Sequence, residues 1–185
     1  MASNLDVNYK TALLLCHKCR ILMTYSNSEK ILDALFYEAD TVYIGAQSKN
    51  NHCQGCGTEQ QPFLIVLFTT RENKYPEFIK LHPIPVDNAN YMTKIIEKSI
   101  VLSKERTLNT DGKTTFSPLV DKIKLKSEKI DYTQKEHRLK WLNIIVGNLK
   151  NNILGIYRSV DKRNLPLFLN EQQWRINHET VVEQF

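Results

Sequence analysis

"LLLCHKCRIL" (residues 13–22) and "NNHCQGCGTE" (residues 50–59) put Cys16 near Cys19 and Cys53 near Cys56, each pair in a Cys-x-x-Cys unit. These are all four cysteines of the chain, and 33 residues separate the two units. A two-residue spacer lets both thiolates of a tight turn point at one ion, and two such turns complete a tetrahedral set. The spacing therefore predicts one structural Zn2+ held by Cys16, Cys19, Cys53 and Cys56. A closed four-thiolate cage staples loops together and keeps no open position for chemistry.

Two other readings of the cysteines compete. A redox Cys-x-x-Cys normally opens a helix after a strand, whereas both units here run on into polar or β-type sequence. Disulfides need an oxidising compartment, and the opening "MASNLDVNYK" has no apolar signal core behind a basic start. His17 and His52 adjoin the cysteines, but four thiolates already satisfy the ion and both read as neighbours.

Around the knuckles the sequence is mostly of β type. "TALLLC" leads into the first unit, "RILMTYSNSE" leaves it as a second strand, and "TVYIGA" is strand-like in its β-branched and aromatic content. "KILDALFYEAD" before it holds no single period. Behind Pro62, the apolar run Phe63–Phe68 has the length of a strand buried on both faces, and "FIKLHPIPV" alternates less cleanly. Residues 1–88 thus read as a small antiparallel β domain stapled by zinc, a size that gains from a staple.

At Asp87–Asn88 the grammar changes, because both are good N-cap residues. Met92, Ile95, Ile96, Ser99 and Leu102 then recur at helical spacing, predicting a helix over about 89–104. Residues 105–118, rich in Thr, Asn, Asp and Gly, read as a loop. "LVDKIKLKSEKID" fits a helix or a strand. Thr133 with Glu136 forms a capping box, and behind it Leu139, Leu142, Val146, Leu149, Ile153, Ile156 and Val160 step by three and four. Such a seam packs within the chain, on a partner helix or on a second copy. Pro166 breaks that helix, and Trp174, His178, Val181 and Phe185 fit a short terminal helix from about Asn170. Residues 89–185 therefore read as an α-helical region for self-association or partner binding.

Composition narrows the function classes. Hydrophobic residues make up 42% and charged residues 24%, ordinary for a soluble globular protein. No apolar run approaches the roughly 18–20 residues of a membrane span, so no membrane is expected. Residues 1–90 hold eight Lys/Arg against nine Asp/Glu, and residues 91–185 hold seventeen against eleven. The basic excess of the second half permits contact with nucleic acid without demanding it. There is no glycine-rich phosphate loop and no nucleophile elbow. The five histidines are scattered, and Glu38 with Asp40 are carboxylates close in sequence only. No catalytic residue and no enzyme is expected.

The four cysteines and the strands around them resemble the β-tent group of zinc domains, over roughly residues 11–86. One branch is the Yippee-type domain, including the Mis-eighteen centromere-priming proteins and cereblon's ligand domain. Cys16, Cys19, Cys53 and Cys56 match its four ligands, and the seam from Leu139 to Val160 matches the place of an oligomerising helix. The gap between knuckles is shorter here, and neither Trp141 nor Trp174 supplies the cereblon-type cage. "LLCHKC" and "YPEFIKLHPIPV" also resemble the C-terminal RNA-end-sensing domain of the retinoic-acid-inducible helicase receptors. The near-neutral first half argues against an RNA groove. The expectation is an α+β chain: a zinc-stapled antiparallel β-tent followed by an α-helical half. It would be a non-enzymatic scaffold or adaptor, nuclear or cytoplasmic with the nucleus favoured, in a chromatin or centromere complex. The alternative is a module that recognises duplex RNA ends.

Overall fold

The computed structural model describes residues 6–27, 31–45, 60–72, 74–127, 129, 138–157 and 160–182. Its centre is one five-stranded mixed sheet built from β1 (Phe36–Ile44), β2 (Gln61–Thr69), β3 (Phe78–Pro83), β4 (Thr107–Thr110) and β5 (Lys124–Ser127). Their spatial order is β3-β2-β1-β4-β5. β1 runs antiparallel to β2, and β2 to β3, whereas β4 lies parallel to both β1 and β5. The sheet therefore takes strands from both sides of residue 88.

The α+β class holds, but a single mixed sheet stands where an antiparallel β-tent was expected. Residues 105–118 are not all loop: they hold β4 and a 3-10 turn over Thr114–Leu119. "TLNT" reads as loop because it is polar, yet all four of its residues are buried between β1 and β5. "LVDKIKLKSEKID" resolves in favour of a strand, β5.

Strand alternation gives the sheet two apolar faces. Leu64, Val66, Tyr37, Ala39 and Leu108 face α2 (Ala89–Ser99), packing with Met92, Ile96, Phe116 and Leu119. Asn88 starts α2 as expected, accepting a hydrogen bond from the Asn90 amide at 2.8 Å. Val42, Ile44, Phe63, Ile65, Leu67, Ile79 and Leu81 face α3 (Lys140–Tyr157) and α4 (Leu165–Val182).

The expected helical seam is spent on this second face. Leu139, Leu142, Leu149 and Ile153 are buried there, and Val146 and Val160 pack partly against it. Leu139 precedes α3 and Val160 follows it, so neither lies within the helix. The side chain of Ile156 and the Thr133–Glu136 capping box lie outside the described residues. The terminal helix begins at Leu165, not near Asn170, because proline is tolerated in a first turn where its missing N–H has no helical acceptor.

Cys16 and Cys19 lie inside a helix, α1 (Tyr9–Asn27), not in a turn between strands. Leu, Ala, Lys, Arg and Met are strong helix formers, and Asn8 opens the helix by accepting from the Lys10 amide at 2.9 Å. Ala12, Arg20 and Asn27 are its buried residues. Arg20 pairs with Glu171 of α4 at 2.6 Å, and Asn27 donates to the Asn170 carbonyl at 2.9 Å. Cys16 is half-buried and Cys19 exposed. Cys53 and Cys56 lie outside the described residues, so the four-thiolate set cannot be placed. None of the helices among the described residues is long and apolar enough to cross a membrane.

Two polar contacts lock helices to the sheet. On α4, Gln173 Oε1 accepts from the Leu81 amide and Asn177 Oδ1 from the Ile79 amide, both at 2.8 Å. Asn177 Nδ2 also donates to the Ile79 carbonyl at 3.0 Å. One helical turn apart, the two amides satisfy the open edge of β3, which would otherwise template further pairing. Replacing Asn177 with alanine leaves two buried backbone groups of Ile79 without partners. It should cost about 2 kcal/mol in urea unfolding, and a loss below about 0.5 kcal/mol would show that water serves the edge equally well.

The second contact is Glu38 of β1, buried at 2% exposure. Burial pushes its carboxyl up to about 7, against the Leu142 amide, which hydrogen-bonds it and pulls it down; Glu72 adds to the rise. Leu142 is in the first turn of α3, where amides lack helical acceptors, so a strand residue caps a distant helix. With its folded pKa above the ordinary 4.5, Glu38 favours folding below about pH 4.5 and loses that contribution as pH climbs through 7. Glu38→Gln keeps an acceptor for Leu142 and abolishes the titration. Relative to wild type it should gain about 2–3 kcal/mol between pH 5 and pH 8. Equal differences in unfolding free energy at both pH values would count against a buried ionising Glu38.

Candidate active site

β1 carries a carboxylate in the middle of an apolar run, which is costly unless something pairs with it. Asp40 shares the face of Glu38, Val42 and Ile44, towards α3 and α4. The parallel register pairs Phe36 with Thr107 and Glu38 with Asn109. Two residues further on, the same offset sets Asp111 beside Asp40, just past the end of β4. There Gly112 takes φ 87, a left-handed conformation that suits glycine and turns the chain sharply. Asp111 Oδ1 accepts from the Lys113 amide at 3.3 Å across this turn.

The turn sends the Lys113 side chain back over β1. Its Nζ lies 2.8 Å from Asp40 Oδ1, 3.1 Å from the Thr41 carbonyl oxygen and 3.4 Å from Asp111 Oδ2. Two carboxylates thus converge on one cation. Burial pushes the Asp40 carboxyl up, and Lys113 only partly offsets this. Burial pulls the Lys113 ammonium down, but Asp40, Asp111 and Asp87 outweigh it and raise it above its ordinary value. The lysine is therefore firmly cationic, beside a carboxylate whose charge is expensive to bury.

α3 closes the site over the same face of the sheet. Asn143, Val146, Lys150 and Leu154 follow one helical stripe and line a cleft of about 550 Å³ together with Asp40 and Lys113. Asn143 Nδ2 is buried there without a hydrogen-bond partner. A neighbouring cleft of about 620 Å³ shares Ile44, Gly45 and Leu154, and adds Lys162 and Arg163. Arg163 is paired with Asp161 at 3.0 Å, and among the described residues no convergent carboxylates line that second cleft. The chemistry-bearing groups belong to the first.

The donor set suits a hard divalent cation. Mg2+ is typically held by one or two carboxylates, with water and substrate phosphates completing its shell. Asp40 and Asp111 supply two carboxylates, Asn143 supplies an amide, and the Lys113 ammonium already stands where positive charge is held. Among the described residues no cluster of three or more His, Cys, Asp or Glu side chains is poised around an ion.

Sequence reasoning noted Asp40 only as a neighbour of Glu38, and missed Asp111, Lys113, Asn143 and Lys150. One signal was available: "YEADTVYIG" carries two carboxylates inside a strand pattern otherwise fit for burial. The other was an Asp-Gly immediately after a short Thr-rich segment. That segment was read as loop, which hid its strand. Of the sites expected from sequence, the seam's Leu139, Leu142 and Leu149 are core, Val146 lines the first cleft, Ile153 and Val160 line the second, and Cys16 and Cys19 lie on α1, which lines neither.

The family model of the ISXO2-like transposase domain matches residues 34–177. No curated protein sequence matches the chain. Among solved structures, the crystal structure of the catalytic core domain of BIV integrase aligns with a TM-score of 0.44 and 11% identity. That alignment covers 74% of this chain and 80% of the integrase core, a likeness too low to bear on the fold. The family match overturns the resemblance to Yippee-type, Mis-eighteen and helicase-receptor domains. With that resemblance go the non-enzymatic scaffold, the chromatin or centromere role and the reader of RNA ends. The Cys-x-x-Cys spacing that carried the resemblance suits a metal turn but is equally compatible with one turn of a helix, which is where Cys16 and Cys19 lie. The matched span takes in all five strands, α2, α3 and both aspartates that pair with Lys113, and the chain belongs to the ISXO2-like transposase domain family.

Proposed function

We propose that the chain catalyses phosphodiester chemistry on DNA with a divalent cation bound by Asp40 and Asp111. The observation that carries this reading is the joint hold of the two carboxylates on one positive charge, at the mouth of a cleft. Membership of a transposase family supports DNA as the substrate. A bound Mg2+ or Mn2+ would polarise a phosphoryl oxygen and lower the pKa of an attacking water.

The chain's own groups would do the rest. Asp40, on β1, and Asp111, just past the end of the neighbouring β4, would hold the cation. Asn143 offers its unpartnered amide to an oxygen of the substrate or of the metal's water shell. Lys150 lines the same cleft and Lys162 the adjoining one, so a phosphate backbone lying along the two would meet positive charge.

Cleavage of a labelled DNA duplex in Mg2+ or Mn2+ tests the reading. Asp111→Asn should lower the rate on the order of 10³-fold, the scale of removing metal-based charge stabilisation, while circular dichroism stays unchanged. Activity that survives Asp111→Asn, or that persists in EDTA, would sink it. Lys150→Ala should weaken DNA binding and flatten its dependence on salt.

A further inference from the structure

β3 lies at the edge of the sheet, separated from β1 by β2, and forms one wall of a pocket of about 270 Å³. Lys80 and His82 of β3 line it, with Thr24 and Asn27 of α1 and Asn170 and Gln173 of α4. None of them lines either of the two clefts already described. Lys80, Asn27 and Gln173 are 5%, 8% and 3% exposed, so three polar side chains are buried around one small space. A lysine is almost never buried unless its charge is met. Among the described residues no Asp or Glu lines this pocket. Burial pulls the Lys80 ammonium down, and no carboxylate offsets it. Glu171, beside Asn170 in the chain, is spent on Arg20 and Arg175 at 2.6 and 2.9 Å.

Backbone partners fix which way each amide of the lining points. Gln173 Oε1 accepts from the Leu81 amide at 2.8 Å, which leaves Gln173 Nε2 as a donor. Asn27 Nδ2 donates to the Asn170 carbonyl at 2.9 Å, which leaves Asn27 Oδ1 as an acceptor. Asn170 Nδ2 is taken up by Thr24 Oγ1 at 3.1 Å, and Thr24 Oγ1 donates to the Arg20 carbonyl at 3.0 Å. Ser99 Oγ donates to the Ile95 carbonyl at 2.6 Å, so the ring N–H of His82 goes to Ser99, 2.8 Å away. Burial, with the charge of Lys80 added, holds His82 down at about 4, so the ring is neutral at neutral pH. The pocket therefore offers one cation, one amide donor and one amide acceptor.

We propose that this pocket binds a proton-bearing oxyanion of phosphate size, with Lys80 meeting its charge, Gln173 Nε2 donating to it and Asn27 Oδ1 accepting from its hydroxyl. Charge-assisted hydrogen bonds from a desolvated ammonium are strong, and an anion here relieves the cost of burying Lys80. The acceptor sets the choice among anions. Inorganic phosphate keeps a proton at neutral pH and can donate it to Asn27 Oδ1. Sulfate and the diesters of a DNA backbone have none, and would set an oxygen against that acceptor with no hydrogen between them. The site stands apart from Asp40 and Asp111, and the inference does not depend on a metal being bound there.

Calorimetric titration of the 185-residue chain with sodium phosphate at neutral pH tests it, with sodium sulfate in parallel. Wild type should bind one phosphate, and sulfate about tenfold or more weakly. Lys80→Met removes the charge at nearly the same side-chain length and should weaken phosphate at least about tenfold. Gln173→Glu keeps an acceptor for the Leu81 amide but turns the free donor into a charged acceptor, and should weaken phosphate as much. Lys162→Met, in the other cleft, should leave the affinity unchanged. A DNA duplex with 5′-hydroxyl ends should not displace the phosphate. No saturable binding up to about 10 mM phosphate overturns the inference. So does a phosphate affinity within about twofold of wild type in both Lys80→Met and Gln173→Glu, sulfate binding as tightly as phosphate, or displacement by the duplex.

Discussion

Pairing of β1 on both its edges is the constraint from which the rest follows. β2 runs antiparallel along one side and β4 parallel along the other, so neither edge can slide without breaking a ladder. Because side chains alternate with a period of two, a slip of one residue would turn Asp40 away from α3 and into the apolar face beneath α2. The same slip would separate Asp40 from Asp111. The offset between β1 and β4 is therefore both a packing decision and a catalytic one. It brings a carboxylate of β1 and one just past the end of β4, 71 positions apart in the chain, onto one lysine.

Burying those carboxylates opposes folding unless their charge is met. Around β1 it is met in two different ways. Asp40 is answered by a lysine that the Gly112 turn folds back over the strand. Glu38 is answered by a backbone amide at the start of α3 and retains an elevated pKa. These contacts tie the polar centre of the sheet to elements that the apolar core alone would leave free to rotate. Stability and site geometry thus share the same residues, and a substitution near β1 acts on both.

The helical layer on the far side works through amides instead of charges. Gln173 and Asn177 complete the hydrogen bonding of the β3 edge, and Asn152 Nδ2 reaches Gln172 Oε1 at 3.3 Å between α3 and α4. Arg20 and Glu171 form a buried pair between α1 and α4, with both side chains under 10% exposed. A buried pair of this kind fixes orientation more than it adds stability, since desolvation offsets much of its attraction. α1 is thereby docked on α4, and its cysteines belong to a helix that packs on the protein's side.

Local chemistry in the sequence determined the elements whose signals are short-range. The Asn88 cap set the start of α2, the Phe63–Phe68 run lies wholly within β2, and the three-and-four stepping of Leu142 to Ile153 made α3 apolar on one side. These depend on neighbours within a turn or two of chain. Tertiary structure alone decided that "TLNT" is a strand, because its β character comes from being flanked by β1 and β5 and not from apolar residues. For the Cys16–Cys19 stretch, whose spacing fits a turn or a helix, it decided the docking on α4, while the surrounding Leu, Ala, Lys, Arg and Met had already favoured the helix locally. The site was decided there too. Asp40, Asp111, Lys113 and Asn143 carry no mutual spacing that a linear reading can weigh; the β1–β4 register brings the two aspartates onto Lys113, and the placement of α3 over the sheet sets Asn143 in the same cleft as Asp40 and Lys113.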